Sequence, residues 1–157
     1  MKVCLLKWLR TASLILLFYL MGGCDEVDRR LTIVNNTDKA MFYVLSTDSI
    51  LDEGSPNYKK EVFKIGNAKD TVWVEQDYFV KPYSKKRNDI LGGNGWTYFI
   101  NRESSDSTLY VFFFNAMDLV DTPWEELRSE KKYIELHSFT VEELEKNNWK
   151  VVLENNN

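Results

Sequence analysis

A chain of 157 residues with 20 Lys and Arg against 24 Asp and Glu carries a formal net charge of −4, which excludes a nucleic-acid binder held by phosphate contacts. Its length gives one core and one domain rather than several. Aromatics at 14% favour β-structure, and a single histidine leaves little material for a histidine-based metal centre.

The N-terminus differs from the rest. Lys2, Lys7 and Arg10 precede an apolar run from Leu14 to Met21, and Gly22 and Gly23 then lead to Cys24. A basic segment, a short apolar segment and a small-residue site define a secretory leader. The apolar run is far shorter than the ~20 residues a spanning helix needs. Met21-Gly22-Gly23-Cys24 resembles the lipobox of bacterial lipoproteins. The resemblance implies cleavage between Gly23 and Cys24, loss of residues 1–23, and a diacylglycerol on the Cys24 thiol. The other cysteine, Cys4, lies inside the leader, so the exported chain needs no disulfide. Removing the leader also removes three basic residues. Anionic lipid headgroups, like nucleic acid, are therefore not expected to attract the domain by charge.

Residues 24–30 read as the lipidated cysteine and an acidic, solvated tether. Asp25, Glu26 and Asp28 resemble the surface-export signal of lipoproteins from Bacteroidetes-type bacteria. In enterobacterial lipoproteins an aspartate straight after the cysteine is instead a sign of inner-membrane retention. The expectation is an outer-membrane, lipid-anchored, surface-exposed protein; the alternative faces the periplasm from the inner membrane.

Residues 31–157 read as one β-rich domain. Leu31 and Ile33 alternate onto one face of a first strand, and the cluster Asn35-Asn36-Thr37-Asp38 turns the chain. "AMFYVLS" is a second strand. Thr47 to Lys69 is polar and irregular, and "TVWVEQ" is a third strand. Pro82 makes Tyr78–Tyr83 an edge strand or an extended loop. "GGNG" (Gly92–Gly95) reads as a hairpin loop entering a strand "WTYFIN", which pairs with "TLYVFFFN". Phe112, Phe113 and Phe114 are apolar on both faces, so that strand is central and covered on both sides.

Thr122-Pro123-Trp124-Glu125 predicts a capped short helix, and Thr140-Val141-Glu142-Glu143 predicts a second, stopped by Asn147 and Asn148. Between them, "KYIELHSF" places Ile134 and Leu136 inward and His137 towards solvent. "WKVVLE" closes the domain with Trp149, Val151 and Leu153 on one face. The fold class is mainly β: an antiparallel sheet or two-layer sandwich with two short helices in the C-terminal third, α+β being the alternative. The body resembles small uncharacterised lipoproteins of Bacteroidetes-type bacteria, through Asn35-Asn36-Thr37, Ser46–Ser49, the Trp124 helix and the Thr140 helix leading to Trp149. That resemblance implies an address and no activity.

No catalytic constellation stands out. His137 has no second histidine or free cysteine beside it, so neither a metal nor a cofactor is expected. Serines are plentiful, but no G-x-S-x-G elbow occurs. Asp118 with Asp121, and Glu125 with Glu126, fit charges at helix starts better than an acid–base pair. Gly92–Gly95 lacks the Lys-Ser/Thr ending of a phosphate loop. Lys85–Arg87 reads as a solvated loop, with an anionic glycan or lipid as its alternative ligand. Among the aromatics, Trp73, Trp124 and Trp149 read as core, and Trp96, beside the glycines, is the candidate for stacking on a sugar. Three functions stay open: a non-enzymatic lipoprotein that binds or docks a neighbouring membrane protein or a glycan, an enzyme acting on an envelope polymer or glycan, and a structural envelope component.

Overall fold

A computed structural model of the chain describes residues 26–51, 63–64, 71–72 and 78–155. The segment read as a leader, with Gly23, and Cys24, Asp25 and Trp73 lie outside the described residues. In chain order the strands begin with β1 (Val27–Asp28), β2 (Thr32–Asn35), β3 (Met41–Ser46), β4 (Phe63–Lys64) and β5 (Thr71–Val72). They continue with β6 (Phe79–Val80), β7 (Ser84–Arg87) and β8 (Ile90–Leu91), after which helix α1 (Gly95–Glu103) leads into β9 (Thr108–Asn115). The single turn α2 (Asp118–Asp121) and helix α3 (Trp124–Ser129) follow, then β10 (Glu135–Thr140), α4 (Val141–Lys146) and β11 (Lys150–Leu153). The fold is mainly β, with antiparallel pairing dominant and the helices in the C-terminal half.

Two sheets organise the domain. The larger has the order β10-β9-β3-β6 and is antiparallel throughout. The smaller has the order β11-β2-β7, in which β2 runs antiparallel to β7 but parallel to β11. The ribbons β1-β8 and β4-β5 are two-stranded.

Period-two alternation sends one face of each sheet into a shared core. Leu31 and Ile33 from the β2 segment meet Val151 and Leu153 of β11, and these pack with Tyr43, Leu109, Val111 and Phe113 of the larger sheet. Trp96 and Ile100 of α1 and Leu144 of α4 complete it. The opposite face of the larger sheet carries a second core. There Phe42, Phe112 and Phe114 meet Leu119, Trp124 and Leu127 from α2 and α3. Phe112–Phe114 are thus buried on both faces of an interior strand, as the apolar triplet requires.

The β2–β3 turn is tied from inside. The fully buried Asn35 donates through Nδ2 to the carbonyls of Lys39 (2.7 Å) and Lys81 (3.1 Å), and its Oδ1 accepts from the Thr37 N–H (3.0 Å) and hydroxyl (2.8 Å). The short β6 sits at the edge of the larger sheet, as Pro82 demands of the Tyr78–Tyr83 segment.

Several expectations are corrected. "WTYFIN" is helix α1, not a strand, and β9 pairs with β3 and β10 instead. Lys85–Arg87 is not a loop but β7, the edge of the smaller sheet. Thr122 does not cap α3: its N-cap is Pro123, with no side-chain cap, and Thr122 instead closes α2. Thr140 does cap α4 in a full capping box. Its hydroxyl accepts from the Glu143 N–H (3.3 Å), and the Glu143 carboxylate accepts from the Thr140 N–H (2.8 Å). Finally β10 is turned over relative to its reading. Glu135, His137 and Phe139 face the first core, while Ile134 and Leu136 are exposed. The β9 register decides this, because His137 stands opposite Val111 and Leu136 opposite Phe112.

Candidate functional site

The N-terminal end of the domain is bolted down. Val27 stands opposite Leu91 and Asp28 opposite Ile90, and the Gly92 N–H donates to the Glu26 carbonyl at 2.6 Å. Gly92 has φ +96, a conformation suited to glycine, and the exposed Glu26 side chain lies over Gly93. The tether expected over residues 24–30 is therefore not free at its C-terminal end. Asp28 in particular is 3% exposed rather than solvated.

Asp28 is the hub of this region. Its carboxylate accepts from the Arg30 guanidinium at 2.9 and 2.7 Å, and from the Trp96 N–H at the start of α1 at 3.1 Å. Burial pushes this carboxyl up. The Arg30 guanidinium and the N–H groups of Trp96 and Arg30 outweigh that and hold it below its ordinary value. Arg30 also donates to the Thr97 hydroxyl (3.1 Å) and stacks over the Trp149 ring at 4.0 Å. A helix does follow the glycines, contrary to expectation, but Asp28 already occupies the N-terminus where an anion would sit.

Trp96 is committed to the core. It is 5% exposed, donates from Nε1 to the Asn88 carbonyl (3.2 Å), and meets Phe99 edge-on. At that exposure little of its ring is open to a sugar, which does not favour the stacking expectation. It does help line a cavity of about 580 Å³ together with Leu45, Tyr78, Arg87 and Asn88. Asn88 accepts from the Tyr43 hydroxyl (2.7 Å), while its buried Nδ2 has no hydrogen-bond partner among the described residues.

His137 lies half-buried against Phe113 and Phe139, with Nε2 2.6 Å from a Glu135 oxygen. Among the described residues no group of three or more His, Cys, Asp and Glu could hold a metal ion. Glu125 pairs with Arg128 (2.7 Å) and Glu126 with Lys132 (2.5 Å), so these carboxylates serve surface ion pairs of α3. Among the described residues no helix is long and apolar enough to cross a membrane.

A second hollow, of about 300 Å³, opens where the β2–β3 turn, the end of β9 and the start of β10 converge. Met41, Leu153 and the half-exposed Ile134 supply its apolar surface. Asp38, Asp118, Glu135 and Glu154 stand around them, with Lys39 as the one cation in the lining. The sequence hid this groove because its parts come from four separated segments, and because Ile134 reads as core. Comparison with family models, curated proteins and solved structures finds no match to the chain.

Proposed function

We propose that this chain is a non-enzymatic lipoprotein of the bacterial envelope, anchored through Cys24, that docks a neighbouring partner. The anchor rests on the lipobox-like Met21–Cys24 and the leader before it. Outer-membrane surface display rests on the acids after Cys24; because Asp28 has a structural task, the export reading falls on Asp25 and Glu26. Docking is carried by one observation: Leu136 of β10, an edge strand of the larger sheet, and Ile134 just before that strand stand exposed beside the acidic groove. An apolar side chain on a strand edge is a ready surface for a partner. Four carboxylates against one lysine select a partner segment carrying Lys or Arg.

The test uses the full chain in its native membrane. Protease added to intact cells should shave the protein, and Cys24→Ala should abolish lipid incorporation. After crosslinking and gentle detergent extraction, one partner band should appear and should be lost in Ile134→Glu. A lone monomer under every crosslinking condition, with turnover of an envelope polymer by the domain, would replace docking by the enzymatic reading.

A further inference from the structure

We propose that the surface around β1, marked by Leu91 of β8 and Tyr98 of α1, rests on the membrane that holds the anchor, so that the domain keeps one orientation there. This rests on the Cys24 anchor. Its force comes from how soon the fold begins. The Glu26 carbonyl is already hydrogen-bonded to Gly92, and Val27 is already paired with Leu91. From Cys24 to Glu26 the chain reaches at most ~7 Å. Paired strands lie ~5 Å apart, so Leu91 falls within a short step of the lipid attachment point.

The segment cannot swing to relieve this. Asp28 is held by Arg30 and by the α1 N-terminus, and Arg30 is held in turn by Thr97 and Trp149. β1, β8 and α1 all touch one another.

The side chains on this unit suit a lipid boundary. Leu91 is 70% and Tyr98 62% exposed. Arg102 donates to the Tyr98 hydroxyl (2.9 Å) and covers its ring at 5.0 Å, holding the aromatic on the outer side of α1. Tyrosine settles at the headgroup level, where its ring is apolar and its hydroxyl wet. Arg29 is paired with Asp89 (3.2 Å) and Arg102 with Glu103, while the exposed Glu26 carboxylate beside Gly93 adds negative charge, so the contact depends on apolar burial rather than on attraction to anionic headgroups. Two exposed side chains would not bind a membrane by themselves. The covalent anchor supplies the effective concentration, and the patch only has to choose which side faces down. Leu136 then faces elsewhere: it stands opposite Phe112 of the second core, whereas α1 packs into the first.

The test uses the lipidated full chain, purified and placed in zwitterionic vesicles containing nitroxide-labelled lipid. Leu91→Cys, Tyr98→Cys and Leu136→Cys each introduce one reactive thiol for an environment-sensitive dye, because acylation consumes the thiol of Cys24. Probes at 91 and 98 should emit to the blue and lose most of their emission to the nitroxide, while the probe at 136 keeps an aqueous spectrum. Equal quenching at all three sites, quenching at 136 alone, or none at 91 and 98 would overturn the proposal. Intact mass separates the two readings. A chain without lipid mass removes the anchor and the orientation together, whereas a lipidated chain with unquenched probes removes the orientation alone.

Discussion

At the scale of single residues, Asp28 is where sequence reading and structure part most clearly. By position it is one more acid in a charged stretch after the cysteine. Its fate is decided 68 residues away, where the Trp96 N–H needs an acceptor. Nothing within Asp25–Arg30 reveals that need, so local composition could not show it. The folded carboxyl binds its proton less readily than the unfolded one. Its contribution is therefore complete above the unfolded pKa and is lost as pH falls through the lower folded value. Asp28→Asn should destabilise the domain by about 2–3 kcal/mol near neutral pH, since it leaves Arg30 without its charge partner. The loss should shrink as pH drops into the carboxylate range. Urea midpoints of both proteins across that range check this, and a pH-independent difference would count against the ion pair. Asn35 is the contrasting case. Its place in a turn was readable from Asn35-Asn36-Thr37-Asp38, because Asn and Thr side chains bond to nearby backbone in that setting.

At the scale of elements, legibility followed the source of the decision. β2, β9 and β11 were readable because burial of one or both faces writes itself into alternation or an unbroken apolar run. α1 was not. Thr97, Tyr98, Phe99 and Ile100 favour strands, and tertiary contacts override that preference. The helical signal was present in the i, i+4 pair Trp96 and Ile100, both buried, with Phe99 on the same side. β10 failed differently: Ile134 and Leu136 look like core, yet Phe139 alone pointed to the face that is buried. The glutamate and histidine sharing that face satisfy each other at 2.6 Å, which makes their partial burial tolerable. The two threonine caps give a matched experiment. Thr140→Ala should cost about 1 kcal/mol by removing a capping box. Thr122→Ala should leave the denaturation midpoint almost unmoved, because α3 takes no cap from it. Equal losses in the two variants would contradict this difference.

At the scale of the whole molecule, the sheets end in differently guarded edges. β7 borders the smaller sheet and carries Lys85, Lys86 and Arg87, of which Lys85 and Arg87 point outward. Charge on an edge discourages pairing with another chain. Replacing Lys85 and Arg87 together by Val should leave the monomer folded but prone to associate, which light scattering against concentration would register. A variant as monomeric as the parent would assign those charges to another purpose. β10, at the edge of the larger sheet, instead shows Leu136, with Ile134 exposed just before it. The asymmetry gives the docking proposal its direction: one edge is repelling and the other is adhesive.

The pairing of β2 with β11 joins the beginning of the domain to its end. A nascent chain leaves its channel N-terminus first, so β2 emerges long before the strand that completes its sheet. Until β11 arrives, Leu31 and Ile33 lack the partners that bury them, and the early residues cannot lock into a finished structure. Were the chain exported as proposed, such late closure would keep the polypeptide threadable for most of its passage across a membrane. In the lipoprotein proposed above, folding would then begin in earnest only on the far side of the membrane, close to the proposed anchor at Cys24.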